Sequence, residues 1–238
     1  MPAAAVSLIV SRMMRMAVTR RALVSALLAT PFGATTIMAQ LGVDSALLTA
    51  AARGDLAAVE RLLREGASVD VRDGQGRTPL LLATHGNHVA VARLLIAAGA
   101  DVNAKDAIEN SPFLYAGAEG RTEILRLALA AGADLKSTNR YGGTALIPAC
   151  HHGHLEAVKV LLGTAIDIDH VNNLGWTALL EAVILGDGGA VYVEIVGLLL
   201  AARANVNIPD RDGLTPLAHA RRRGYRSIAR LLEQAGGR

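Results

Sequence analysis

At 238 residues the chain is long enough for one ordinary domain or one repeat array. Hydrophobic residues make up 52% of it but aromatic residues only 3%, so Ala and Leu must do the packing, which points to closely stacked helices. The charge of +3 belongs to the first 39 residues: Arg12, Arg15, Arg20 and Arg21 precede the first acidic residue, Asp44, and without them 20 basic residues face 21 acidic ones. Counterion release therefore gives no reason to expect a nucleic-acid partner.

Residues 1–39 read as a signal peptide. A basic stretch over 12–21 leads into the apolar run Ala22 to Ala39, which ends in small residues, with a cleavage point between Ala39 and Gln40. A spanning helix needs about 20 uninterrupted apolar residues. Pro31 and Gly33 interrupt this run, so a cleaved signal is favoured over an anchor, and no membrane span is expected after cleavage. Thr19-Arg20-Arg21-Ala22-Leu23-Val24 resembles the twin-arginine export motif of bacteria; a paired Arg in an ordinary signal is the alternative. A periplasmic location follows as the expectation, with an uncleaved form anchored in the inner membrane and facing the periplasm as the alternative.

From residue 40 onward the chain repeats itself. Gly54, Asn87, Gly120, Gly153 and Gly186 lie 33 residues apart, as do Gly66, Gly99, Gly132 and Ala165, and Ser45, Thr78, Ser111, Thr144 and Thr177. After Gly186 the register slips by five, to Thr215 and Gly224. Six units follow, at about 44–72, 73–105, 106–138, 139–171, 172–209 and 210–238. Within residues 77–106, Thr78 is placed to cap a helix and Pro79 sits at its first position, where a missing N–H is harmless. Asn87 stands at the left-handed position that closes this helix. A second helix carries Val91, Leu94 and Leu95 at helical spacing, and Gly99 ends it before the turn Ala100-Asp101-Val102-Asn103.

These residues resemble the ankyrin repeat, whose pattern runs Thr-Pro-Leu, small-residue helix, Gly-His, Val-Leu-Leu helix, Gly-Ala-Asp, Val-Asn. The opening recurs as Thr78-Pro79-Leu80, Ser111-Pro112-Phe113, Thr144-Ala145-Leu146, Thr177-Ala178-Leu179 and Thr215-Pro216-Leu217. The resemblance implies an all-α repeat solenoid of six ankyrin repeats, each a helix-turn-helix with a β-turn finger, in a domain over 40–238. The stretches NRYGGTALIPACHHGH, HVNNLGWTALLEAVILGDGG and DRDGLTPLAHARRRGY look like exported bacterial members of that family.

The segment ACHHGH, 149–154, invites a metal or nucleophile reading. The repeat argues against both. Ala149 falls in a column that is alanine in every unit, and Cys150 in a column of mostly small residues, so its thiol is expected in the core. His154 aligns with His88 and is expected to hydrogen-bond and steady the loop. His151 and His152 are adjacent, so on a helix their side chains diverge by about 100°. Zinc needs three or four converging ligands. No metal, no cofactor and no catalytic residues are expected.

In the ankyrin family the turn tips and first helices form the binding face. Carried over by position, the resemblance gives a turn row of Gln75, Arg77, Glu109, Asn110, Arg140, Tyr141, Asn173, Trp176 and Arg211. It gives a helix row of Leu82, His85, Tyr115, Glu119, His151, His152 and Glu181. From these rows the expected partner-binding residues are Arg77, Tyr115, Glu119, Arg140, Tyr141, His151, His152, Trp176 and Glu181. Tyr, Trp and Arg often dominate interface energy, though Trp before Thr is also common in ankyrin turns for packing alone. The insert GDGGAVYVE, 186–194, is expected to lengthen the loop between its two helices by five residues. Ala165 and Arg203 replace the glycine that elsewhere ends the second helix, so both ends are expected to close differently.

The expectation is a non-catalytic, monomeric scaffold that binds another protein on its concave face. The alternatives are a membrane-tethered ankyrin protein with a stress-protection role, a Cys/His hydrolase, and a cytoplasmic protein with a misread leader.

Overall fold

The computed structural model describes residues 31–238, with side chains from residue 40 onward. The expected export motif and most of the signal segment lie outside the described residues. The helices, in chain order, are α1 (Pro31–Arg53), α2 (Leu56–Arg64), α3 (Pro79–His85), α4 (Val89–Ala97), α5 (Pro112–Ala118), α6 (Thr122–Ala130), α7 (Leu146–His151), α8 (Leu155–Leu162), α9 (Ala178–Ile184), α10 (Ala190–Ala201), α11 (Pro216–Arg222) and α12 (Arg226–Gln234). No strand occurs among the described residues.

Consecutive helices pair, α1 with α2 through to α11 with α12. The first helices of the pairs then stack in one layer and the second helices in another, so the chain is an all-helical solenoid. One continuous apolar core runs from Leu47 to Leu232. The alanine column lies at the tightest contact: Ala83, Ala116, Ala149, Ala182 and Ala220 are fully buried.

Short first helices are held by their caps. The hydroxyls of Thr78, Ser111, Thr177 and Thr215 accept from the backbone N–H three residues on. Thr144 departs from this scheme. The residue four on from each cap donates its N–H to the cap carbonyl, as Leu82 does to Thr78 and Glu181 to Thr177. In the fourth pair that residue is Pro148, which has no N–H. The Ile147 N–H bonds the Thr144 carbonyl instead, α7 starts late at Leu146, and the buried Thr144 hydroxyl has no partner. Ser45, in the same sequence series, caps nothing: α1 begins upstream at Pro31 and runs on through the Ala39–Gln40 junction, leaving Ser45 inside the helix.

Each finger is built on an Asp or Asn. Oδ1 of Asp73, Asp106, Asn139, Asn172 and Asp210 accepts the backbone N–H groups two and four residues on. Arg77 is tied to this finger base, its Nε donating to Asp73 at 2.7 Å. Asn87 adopts the left-handed backbone, φ 53°, as its position predicts.

Three expectations need correction. The five inserted residues do not all enter the loop. The inter-helix loop grows only from three residues, as at 86–88, to five at 185–189, while α10 has 12 residues where α4 has 9. The left-handed position moves from Gly186 to Gly188, φ 75°. A Cβ at Gly186 would lie 2.3 Å from the Ala182 carbonyl and 2.5 Å from the Tyr192 ring, so that site is closed to larger residues. Second, Arg203 does not alter its helix end: it takes φ 68° and the Ala204 N–H bonds the Leu199 carbonyl, as at the glycine ends. Ala165 does differ, and there the Thr164 hydroxyl closes α8 by donating to the Leu161 carbonyl and accepting from the Ile166 N–H. Third, His154 makes no cross-repeat hydrogen bond. His88 Nε2 bonds the Ala52 carbonyl, but the equivalent Ala118 carbonyl is taken by His152 Nδ1 at 2.7 Å, while the His154 ring lies against Gly120.

Candidate functional site

The fingers and the first helices meet in a concave corner. Where α5, α7 and α9 stack, a cleft of about 420 Å³ opens, lined among others by Tyr115, Glu119, Arg140, Tyr141, His151, His152 and Glu181. These are seven of the nine residues singled out from the sequence. The other two lie elsewhere. Arg77 stands at the second finger against Asp73, and Trp176 is half-buried beside its own finger base, where its backbone N–H donates to Asn172 Oδ1. Neither lines the cleft. Leu82, placed on the helix row, is buried and belongs to the core.

One helix column explains the position of the cleft. Leu82, Tyr115, Pro148, Glu181 and His219 occupy the same place, four residues past each cap. Leu82 fills that place with apolar volume. Pro148 is short, and the longer side chains on either side, Tyr115 and Glu181, turn toward the gap beside it. On the α3 side His85 packs against Tyr115, the two rings tilted by 42° with 4.1 Å between their centres.

Glu181 lies at the floor. Its side chain is only 7% exposed. Asn172 Nδ2 donates to its Oε1 at 2.9 Å, and His151 Nδ1 lies 3.5 Å from Oε2. Burial pushes its carboxyl above the usual range, against the pull of Asn172 and of His152. His151 is shifted down by burial and by His152, so it is held toward the neutral form. The two imidazoles do not diverge fully, their ring centres being 4.5 Å apart. At the rim, the Arg140 guanidinium sits over the Tyr141 ring, 4.8 Å from its centre.

Cys150 is fully buried, and burial followed by the Glu181 charge pushes its thiol well above the ordinary range. A nucleophilic cysteine needs an exposed thiolate beside its base, and this position offers neither. No group of His, Cys, Asp and Glu that could hold a metal ion is present among the described residues. No described helix is long and apolar enough to cross a membrane.

The sequence reading missed part of the lining. Asn139, Asn172, Ile147, Pro148, Leu174 and Leu185 also border the cleft. One signal was available: Ile108, Tyr141 and Leu174 are spaced by 33 and share the finger-tip position. Only Tyr141 of that column stood out as an aromatic.

Comparison with known proteins agrees with this architecture. The family model described as ankyrin repeats (3 copies) matches residues 14–106 and 113–210. A solved ankyrin repeat domain from Acinetobacter baumannii AYE is 56% identical, with a TM-score of 0.79 over 81% of this chain and 98% of that one. The ankyrin repeat domain of Bcl-3, a member of the IkappaB protein family, is 32% identical, with a TM-score of 0.73 over 81% of this chain and 86% of that one. Among curated proteins, the ankyrin repeat protein YahD of Escherichia coli (strain K12) is 47% identical over 55 residues, 23% of this chain. That match spans only 27% of the relative's own length. Ankyrin repeat proteins are generally non-catalytic scaffolds for protein interaction, and this chain belongs to the ankyrin-repeat family.

Proposed function

We propose that the chain is a six-repeat, monomeric ankyrin scaffold of the bacterial periplasm. It is exported by residues 1–39, released by cleavage before Gln40, and binds a partner protein at the concave corner of fingers and first helices. The observation that carries this reading is the convergence of seven interaction-prone side chains, from four elements, on one cleft. Specific interfaces centre on such concave, aromatic-lined sites. A non-catalytic role is favoured by the buried state of Cys150. Export is favoured by the three-part leader, and the start at Gln40 by its side chain, which donates to Asp44 and to the Gly66 carbonyl and so ties that end down.

Two experiments test the two parts. A crosslinking pull-down from envelope extract would use the full chain and a Tyr115→Ala/Tyr141→Ala variant as baits. Loss of a captured protein with the variant is expected; equal capture would place binding elsewhere. The intact mass of the chain recovered from the periplasm should correspond to a start at Gln40. A full-length chain recovered from the cytoplasm would refute export.

A further inference from the structure

The cleft carries charge that the chain itself does not balance. Glu119 and Glu181 line it, and among the described residues neither forms an ion pair with a Lys or Arg. The charged-partner candidates beside Glu181 are imidazoles: His151, 3.5 Å away, is held toward neutrality, and His152 pulls on the carboxyl without outweighing its burial. Arg140 is committed to the Tyr141 ring at the rim. Burying a carboxylate without a full counter-charge is costly, and such arrangements cluster at functional sites.

Beside the cleft lies an apolar ridge. Ile108, Tyr141 and Leu174 are 52%, 51% and 46% exposed at successive finger tips. Gln75 and Asp212, at the same position in the flanking fingers, are polar, so the ridge is confined to the three fingers around the cleft. Stacked repeats set these tips roughly 10 Å apart. Exposed apolar side chains in a row, rimmed by polar ones, mark an interaction surface.

Resting on the partner-binding reading above, we propose that the occupant is a polypeptide segment bearing an Arg or Lys flanked by aliphatic residues. The cation enters the cleft and meets the carboxylates of Glu181 and Glu119, and the aliphatic side chains lie on the ridge of Ile108, Tyr141 and Leu174. A guanidinium matches a carboxylate in two-point geometry, and the Tyr115 ring offers a face to its other side. The same carboxylates repel phosphorylated or acidic segments.

The test uses the full-length protein and fluorescein-labelled heptapeptides Ala-Leu-Ala-Xaa-Ala-Leu-Ala, with Xaa as Arg, citrulline or Glu, followed by anisotropy. Citrulline keeps the shape of Arg without its charge. The Arg peptide is expected to bind about tenfold or more tightly than the other two, as a charge-assisted bond implies. Glu181→Gln should bring Arg and citrulline within about twofold of each other. Tyr141→Ala should weaken all three peptides, and Glu123→Gln, at an exposed position of α6 outside the cleft, should change none. Thermal melts establish that each variant is folded, and Glu119→Gln gives a second variant should Glu181→Gln unfold. Equal binding of Arg and citrulline, with both weakened by Tyr141→Ala, would overturn the cation claim and leave the face intact. Binding indifferent to both Tyr141→Ala and Glu181→Gln would overturn both. No binding of the Arg peptide at millimolar concentration would overturn the cation claim, and the pull-down would then judge the face alone.

Discussion

The second helix pair and the junction of the fourth and fifth pairs are built from the same template and behave differently. In the second, Thr78 caps α3, Pro79 opens it, and Leu82 fills the concave column with buried apolar volume, so the cap is satisfied and only the buried His85 Nε2 of α3 lacks a hydrogen-bond partner. At the junction, Pro148 removes an N–H, Thr144 is left without a partner, and Glu181 is buried without a full counter-charge. The cleft opens where the repeat breaks its own rule. Local satisfaction has been given up at the place with the most chemistry on offer, a pattern expected of functional sites in otherwise consistent folds.

Substitutions along matching columns sharpen this contrast. The largest effect is expected for Leu82→Ala, which removes buried apolar volume and should cost about 2–3 kcal/mol in denaturant titration. A loss below about 0.5 kcal/mol would mean that Leu82 is not core. Next come the caps. Thr78→Ala should cost about 1 kcal/mol, whereas Thr144→Ala should be neutral or slightly stabilising, because its hydroxyl bonds nothing. In a Pro148→Ala background the N–H returns, and Thr144→Ala should then cost about as much as Thr78→Ala. Equal losses for the two threonines in the native background would break the comparison.

The smallest effect has the opposite sign. Glu181 sits in the column of Leu82, but burial raises its pKa, so its folded form holds a proton that the unfolded form gives up in the same pH range. Stability from this group therefore declines as pH rises from the ordinary carboxylate value through the raised one. Glu181→Gln removes that decline and keeps an oxygen for Asn172. It should raise the melting midpoint at neutral pH by less than Thr78→Ala lowers it, and the gain should vanish near about pH 4. A lower midpoint at pH 7 would show that the ionised carboxylate is well accommodated.

Much of this was legible in the sequence, for reasons that also mark where reading stops. The 33-residue spacing located the helix pairs, and Thr78, Ser111, Thr177 and Thr215 cap where their positions say. Thr144 and Ser45 share that spacing and do not cap, because capping depends on the N–H groups that follow and on whether the helix starts there at all. Arg203 reproduced a glycine's backbone and Ala165 did not, so the loss of the glycine alone did not tell how each helix ends. The insert was divided between a longer loop and a longer α10, in which the Tyr192 hydroxyl donates to the His151 carbonyl at 2.7 Å. Counting inserted residues could not distinguish a longer loop from a longer helix. For the cleft, position in the repeat identified the side chains with reactive or aromatic ends. It passed over Asn172, Pro148 and Leu174, whose importance comes from what stands beside them.

The central claim is that a partner occupies the concave corner. Site-specific photocrosslinking in living cells tests it most directly, with benzoylphenylalanine placed at Tyr141 on the finger tip or at Arg126, an exposed position of α6, in the full chain. The account predicts a discrete protein adduct from position 141 and none from position 126. An adduct from position 126 with none from position 141 would contradict it.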